Sequence, residues 1–269
     1  MWPFRAKPLL DDDVVDWMID HVHWLMSRQA HRAAYASAGP LPISDRIFPF
    51  DPRGGHDAAE RLLLLVMQRM GVEGLPVVLE ADASSGRYDP GLGGHRPVPR
   101  VTAAGTYRSI RDRIVITYDT TLLHRPAELV AVLAHEVSHA ILDLGAETPP
   151  PSDAEEMLTD LSATFLGFGF YLMLFRYDTA IESPDVAREW RGYFEEYMSL
   201  RELCFATAMH SDLSGVERSI ALRHAAGAVG PDAHPHMKRA FADLDRMPSR
   251  LAPLRALRMV SPPPLSHPG

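Results

Sequence analysis

The sequence predicts an α+β fold, and three features carry that prediction. Short runs rich in β-branched residues are confined to positions 76–118. Longer stretches with apolar residues three and four apart lie on both sides of them. Segments dense in Pro and Gly separate the two kinds of run, as connections do between strands and helices.

Taken in order, residues 10–36 read as a helix with a broad apolar face (Val14, Val15, Trp17, Met18, Ile19, Val22, Trp24, Leu25, Met26). His21, His23 and His31 are expected at its polar edges. A loop follows over 39–55, then a second helix from His56 to Met70 around Leu62–Val66. Pro76–Glu80 reads as a strand, Ala81–Pro97 as a long loop, and Val101–Tyr107 and Arg113–Tyr118 as two more strands joined by a turn near Ser109–Asp112. Pro126 suits a first helical position, and Gly145 suits the end of the helix that starts there. Pro149–Pro151 forces a loop, after which Ser152 caps a helix running to about Tyr177. Ala163 and Gly167, four apart on it, would admit a close helix neighbour. Further helices are expected from Ser183 to His210, over 214–227 and over 232–246. His234-Pro235-His236 reads as a solvated loop or helix start, and Pro262–Pro264 as a disordered tail. The expected organisation is an N-terminal helical segment (1–75) packed on a core (76–180), a C-terminal helical region (181–258) and a tail (259–269), within one compact domain.

Composition narrows the function classes. Of 269 residues, 46% are hydrophobic and 23% charged, as in soluble globular proteins. A formal net charge of -8 repels phosphate backbones, so no nucleic-acid partner is expected. One cysteine, Cys204, permits neither an intrachain disulfide framework nor a cysteine metal site, and reads as a buried small hydrophobe. The N-terminus shows no signal-peptide pattern, so a cytoplasmic location is expected. The apolar stretch Leu161–Phe175 is shorter than the ~20 residues of a bilayer span and reads as a core helix, so no membrane association is expected.

The chemistry is concentrated in Leu133-Ala134-His135-Glu136-Val137-Ser138-His139-Ala140, an H-E-x-x-H sequence on an apolar helix that follows a strand. Residues four apart share a helix face, so both imidazoles can point at one metal ion. Glu136 then reaches a water on that metal without having to bind it. Val137 and Ser138 point away. Two imidazoles and a carboxylate suit zinc with one position left open. The carboxylate comes from the next helix. Ser152 to Glu155 has capping-box spacing, which engages Glu155 and leaves Glu156 to face the metal. Asp160, one turn farther, can accept a hydrogen bond from the free ring nitrogen of a ligating histidine. Asp143, one turn past His139, would crowd the same metal and reads as a helix-end polar residue.

His135, Glu136, His139, Glu156 and Asp160 together resemble the H-E-x-x-H and E-x-x-x-D helices of the gluzincin metallopeptidases, the thermolysin group. The short gap from His139 to Glu156 is similar to that of compact minigluzincins. Thr159-Asp160-Leu161 and Phe165–Gly169 look like segments of uncharacterised bacterial proteins of that type. The resemblance spans about residues 99–177. It implies a zincin-like core: a small, mostly antiparallel sheet, an H-E-x-x-H helix and a glutamate helix, with extra flanking helices. It also implies one Zn2+ per chain and hydrolysis of a peptide or protein substrate. A metzincin would need Gly and a ligand where Leu142 and Gly145 stand, so that class does not fit.

In such an enzyme Glu136 serves as general base, taking the proton of the attacking water and passing it to the leaving amine. Arg113–Tyr118 or Val101–Tyr107 would hold the substrate as an added strand. An oxyanion donor is also needed, and Tyr193, Tyr197 and His210 are the candidates. A different class of function is a zinc-binding regulatory or interaction module without turnover. Glu136 argues against it, because a closed structural site has no use for a base.

Overall fold

The computed structural model describes residues 7–28, 34–35, 39–82, 104–110, 113–144, 154–182 and 197–259. It is a mixed α+β structure that divides into two compact units. One comprises residues 44–144, the other residues 1–43 with 145–269.

The first unit is built on three strands, β1 (Val77–Asp82), β2 (Gly105–Ile110) and β3 (Arg113–Asp119), in the order β1-β3-β2. β1 runs parallel to β3, and β2 antiparallel to it with Ile110 opposite Arg113. The sheet is therefore mixed, where a mostly antiparallel one was expected. The expectation failed because the hairpin signal between β2 and β3 is local, whereas the direction of β1 is set by a pairing across more than thirty residues. β2 also runs three residues past the expected Tyr107, to Ile110, into the segment expected to turn.

Ile114, Ile116 and Tyr118 of β3 alternate into the core beside Leu79 of β1. On the opposite face the Thr106 and Thr117 hydroxyls pair at 2.6 Å, and Arg108 meets Glu80 at 3.4 Å. Counting α1 (Asp12–Ser27) as the first helix of the chain, in the other unit, two α-helices complete this one, α2 (Gly55–Met70) and α3 (Pro126–Asp143). α2 and α3 contact each other, and α3 contacts both β2 and β3. Pro126 stands in the first turn of α3, as its fixed φ favours. Leu129–Leu133, Val137 and Ile141 are all buried, so this helix is enclosed nearly all round.

The second unit is helical. It contains α1, α4 (Glu155–Ala163), α5 (Gly169–Glu182), α6 (Leu200–Leu213), α7 (Arg218–His224), α8 (Ala233–Leu244) and α9 (Pro248–Met259). α1 packs on α4 and α9, and α6 packs on α5, α7, α8 and α9. α9, which the sequence reading did not assign, buries Leu251 and Leu254 despite an internal Pro253. The apolar stretch from α4 to α5 is a core element. Among the described residues it is the one helical run, Glu155–Tyr177, long and apolar enough to cross a membrane, yet 89% of its most apolar window is buried. That burial is what the core helix of a soluble protein shows.

Two expectations about this run need correction. Ala154, not Ser152, precedes the first helical residue, so the helix starts two residues later than a capping box at Ser152 would place it. Ser152 itself lies outside the described residues. Between α4 and α5 a π-type segment, Thr164–Phe168, widens the helix, and Gly167 there has φ +110°, a backbone that side chains rarely adopt. Gly167 faces Gly39 and Leu41, whose N–H donates to the Gly167 carbonyl at 2.8 Å. A loop, not a helix, occupies that small-residue site. The close helix approach falls two residues later, where a β-carbon on Gly169 would stand 2.3 Å from the Thr207 Oγ1 of α6.

The histidines read as polar edges divide. His23 is exposed, but His21 is buried, stacked on Trp17, with Nδ1 2.7 Å from the Trp17 carbonyl. His31 lies outside the described residues. Cys204 is buried as expected, with burial pushing its thiol pKa up. Ala81 and Asp82, expected to open a loop over Ala81–Pro97, belong to β1 instead; the rest of that loop and the tail from Ser261 are likewise outside the described residues.

Candidate metal centre

His135 and His139 stand one turn apart on α3, with rings 4.8 Å apart and nearly perpendicular. Their Nε2 atoms are 3.1 Å apart. Two donors bound tetrahedrally to one zinc ion at 2.0–2.1 Å would stand about 3.3 Å apart. The pair therefore already has the spacing a shared metal needs. One ligand atom from each of His135, His139 and Glu156 all lie within 4.8 Å of one another. His135 is buried, and His139 and Glu156 are partly buried. Such a group could hold a metal ion, and its three members are residues that the sequence singled out.

Glu136 is not one of the three. Its side chain is buried at 6% exposure and lies against β2. A β-carbon placed on Gly105 would stand 3.0 Å from Glu136 Oε1 and 2.5 Å from Val132 Cγ1. The missing side chain at Gly105 is thus the space that Glu136 and its helix occupy. Ser138, inside the motif, donates to the Ala134 carbonyl at 2.8 Å, which satisfies its buried hydroxyl within the helix.

Two residues that sequence reasoning missed or set aside adjoin His139. Tyr107 of β2 stacks on its ring, with centroids 5.7 Å apart and planes within 16°. Burial, followed by the interaction of its hydroxyl with Asp143 and by the charge of that carboxylate, pushes the Tyr107 pKa up to about 12, against a smaller opposite effect of Ser109. Asp143 is therefore engaged by tyrosine. The signal for Tyr107 was present only as strand alternation, which puts Gly105, Tyr107 and Ser109 on one face.

The remaining predicted residues sit in the helical unit. Asp160 is 1% exposed, and its Oδ2 accepts from the Met198 N–H at 3.0 Å and from Arg176 at 3.3 Å. Arg176 in turn lies over the Tyr197 ring at 5.1 Å. His210 is fully buried on α6 and stacks on Phe165 at 4.9 Å. Tyr193 lies outside the described residues. His234 and His236 fall in the first turn of α8.

The sheet order selects between the two strands proposed to receive substrate. β3 is paired on both sides, so it has no edge to offer. β2 pairs only with β3 among the described residues and carries the outer edge nearest α3. Comparison with protein-family models, with curated proteins and with solved structures gives no match for this chain.

Proposed function

We propose that this chain is a zinc-dependent metallopeptidase of gluzincin type, in which His135, His139 and Glu156 hold one zinc ion and Glu136 is the general base. The observation that carries the reading is the convergence of those three ligand atoms within 4.8 Å. The donor set supports it, since two imidazoles and one carboxylate suit zinc and leave a coordination position open. Bound there, zinc supplies a Lewis acid that polarises an amide carbonyl and acidifies a water.

The chain's own groups do the rest. Glu136 takes the proton of the attacking water and delivers it to the leaving amine, a role that requires a carboxylate near the ligands but separate from them. β2 offers its open backbone edge to an extended peptide, which pairs as an added strand. Asp160, whose Oδ2 accepts from Met198 and Arg176, is the acceptor we assign to a histidine N–H on the pattern of the two helices. A cytoplasmic enzyme acting on peptides or proteins is the setting that fits.

Elemental analysis of the purified chain beside His139→Ala and Glu156→Ala tests the centre. About one zinc per wild-type chain, lost from both variants, is the expected result. Glu136→Ala should then keep its zinc and lose hydrolysis of a mixed peptide library, while Glu155→Ala keeps both. Folded wild-type protein that takes up no zinc when supplied would overturn the reading. Zinc binding without hydrolysis of any peptide would move it to a zinc-binding regulatory module.

A further inference from the structure

The side chains packed against His139 carry an inference that rests on the metal-centre reading above. β2 addresses α3 at two inward-facing positions. At Gly105 it makes room for Glu136, and at Tyr107 it covers the face of His139. Tyr107 spans two consecutive turns of α3, its ring lying parallel to the His139 imidazole and its hydroxyl interacting with the Asp143 carboxylate four residues on.

A ligating imidazole has two side-chain torsions, and a modest rotation about either swings Nε2 away from the metal. A flat ring stacked on one face blocks that rotation, provided the stacking ring is itself held. Asp143, with Ser109, interacts with the hydroxyl at the far end of the tyrosine, which gives that ring its anchor. His139 then keeps Nε2 3.1 Å from the Nε2 of His135.

We propose that Tyr107, locked by Asp143, is the positioning residue that sets the ring plane of His139 and so preorganises the metal centre. A tyrosine that merely filled space would leave the metal's affinity and ligand geometry indifferent to its identity. Groups that orient a ligating histidine typically contribute 10–100-fold in metal affinity.

Zinc affinity by chelator competition, together with the visible absorption bands of the cobalt(II)-substituted protein, tests this in wild type, Tyr107→Leu, Tyr107→Phe and Asp143→Asn. Tyr107→Leu removes the stacked ring and should weaken zinc by roughly 10–100-fold and shift the cobalt bands. Tyr107→Phe and Asp143→Asn keep the ring and loosen its anchor, so each should lose affinity several-fold with a smaller spectral shift. Wild-type affinity and an unchanged cobalt spectrum in Tyr107→Leu would overturn the proposal while leaving the metal-centre reading intact. Should Tyr107→Leu fail to fold by circular dichroism, unchanged affinity and spectrum in Tyr107→Phe and Asp143→Asn would overturn it equally. A wild-type chain that binds neither metal would overturn both.

Discussion

At Gly105 a hydrogen atom stands where any other residue would place carbon, and the motif helix uses that space. A β-carbon there would lie 2.5 Å from Val132 Cγ1, a branched and buried side chain with little freedom to withdraw. Gly105→Ala should therefore cost about 1–3 kcal/mol in urea unfolding, the usual range for overpacking a tight core. It should also displace Glu136 and reduce hydrolysis more than zinc affinity, because the atoms that a β-carbon would crowd belong to Val132, Glu136 and Thr117 and to neither histidine. Unchanged stability in Gly105→Ala would mean that Val132 yields freely and that the close approach constrains nothing. His135, Glu136 and His139 were legible in the sequence because i to i+4 spacing on a helix is a local matter. Gly105 and Tyr107 were not, since a strand residue becomes informative only when the helix opposite it is known.

Element boundaries were legible where a residue type has a local backbone role. Pro126 begins α3, and the helix ends at Asp143 against an expected limit near Leu144. α6 shows the opposite case. Its start was read at Ser183, yet Ser199 caps it, with the Ser199 N–H donating to Glu202 at 2.6 Å and the Ser199 hydroxyl accepting from the Glu202 N–H at 3.4 Å. The S-x-x-E spacing of a capping box in Ser199-Leu200-Arg201-Glu202 marks that start, whereas the same pattern at Ser152 is not matched by the observed start of α4. Ser199→Ala should lower unfolding stability by ~1 kcal/mol, measured by urea titration, with Ser199→Asp retaining most of it. An equal loss in both variants would assign the effect to something other than the cap.

Over the whole molecule the clearest titratable tie is His224. Its Nε2 accepts the Ile43 N–H at 2.7 Å, its ring meets Phe170 edge-on at 4.6 Å, and burial pushes its pKa below the ordinary histidine value. Protonation would remove the acceptor. The folded form thus binds this proton less readily than the unfolded chain. The associated stability is complete above the unfolded-state value of about 6.5 and is lost as pH falls toward the folded value. His236 shifts in the same direction, through burial and then the charge of Arg201. At lower pH the carboxyls of Asp212 and Asp245 add to the loss. Burial pushes Asp212 up, but its bonds to Arg218 and Arg255 hold it below the usual range, and Arg218 does the same for Asp245. Urea stability should therefore decline between about pH 7 and 5, and His224→Gln, which keeps an acceptor but does not titrate, should flatten part of that decline. Parallel pH profiles for the two proteins would remove His224 from the account.

By itself the sequence determined the α+β class, the apolar helices and the histidine pair with its intervening glutamate, because all of these follow from spacing along a few turns of chain. Tertiary structure alone decided the parallel pairing of β1, the central place of β3 in the sheet, the loop seated on Gly167, the bonds that hold Asp160 and the stacking of Tyr107 on His139. Each of those joins residues distant in the chain, where local periodicity carries no information and only packing, backbone pairing and the satisfaction of buried polar groups select the partner.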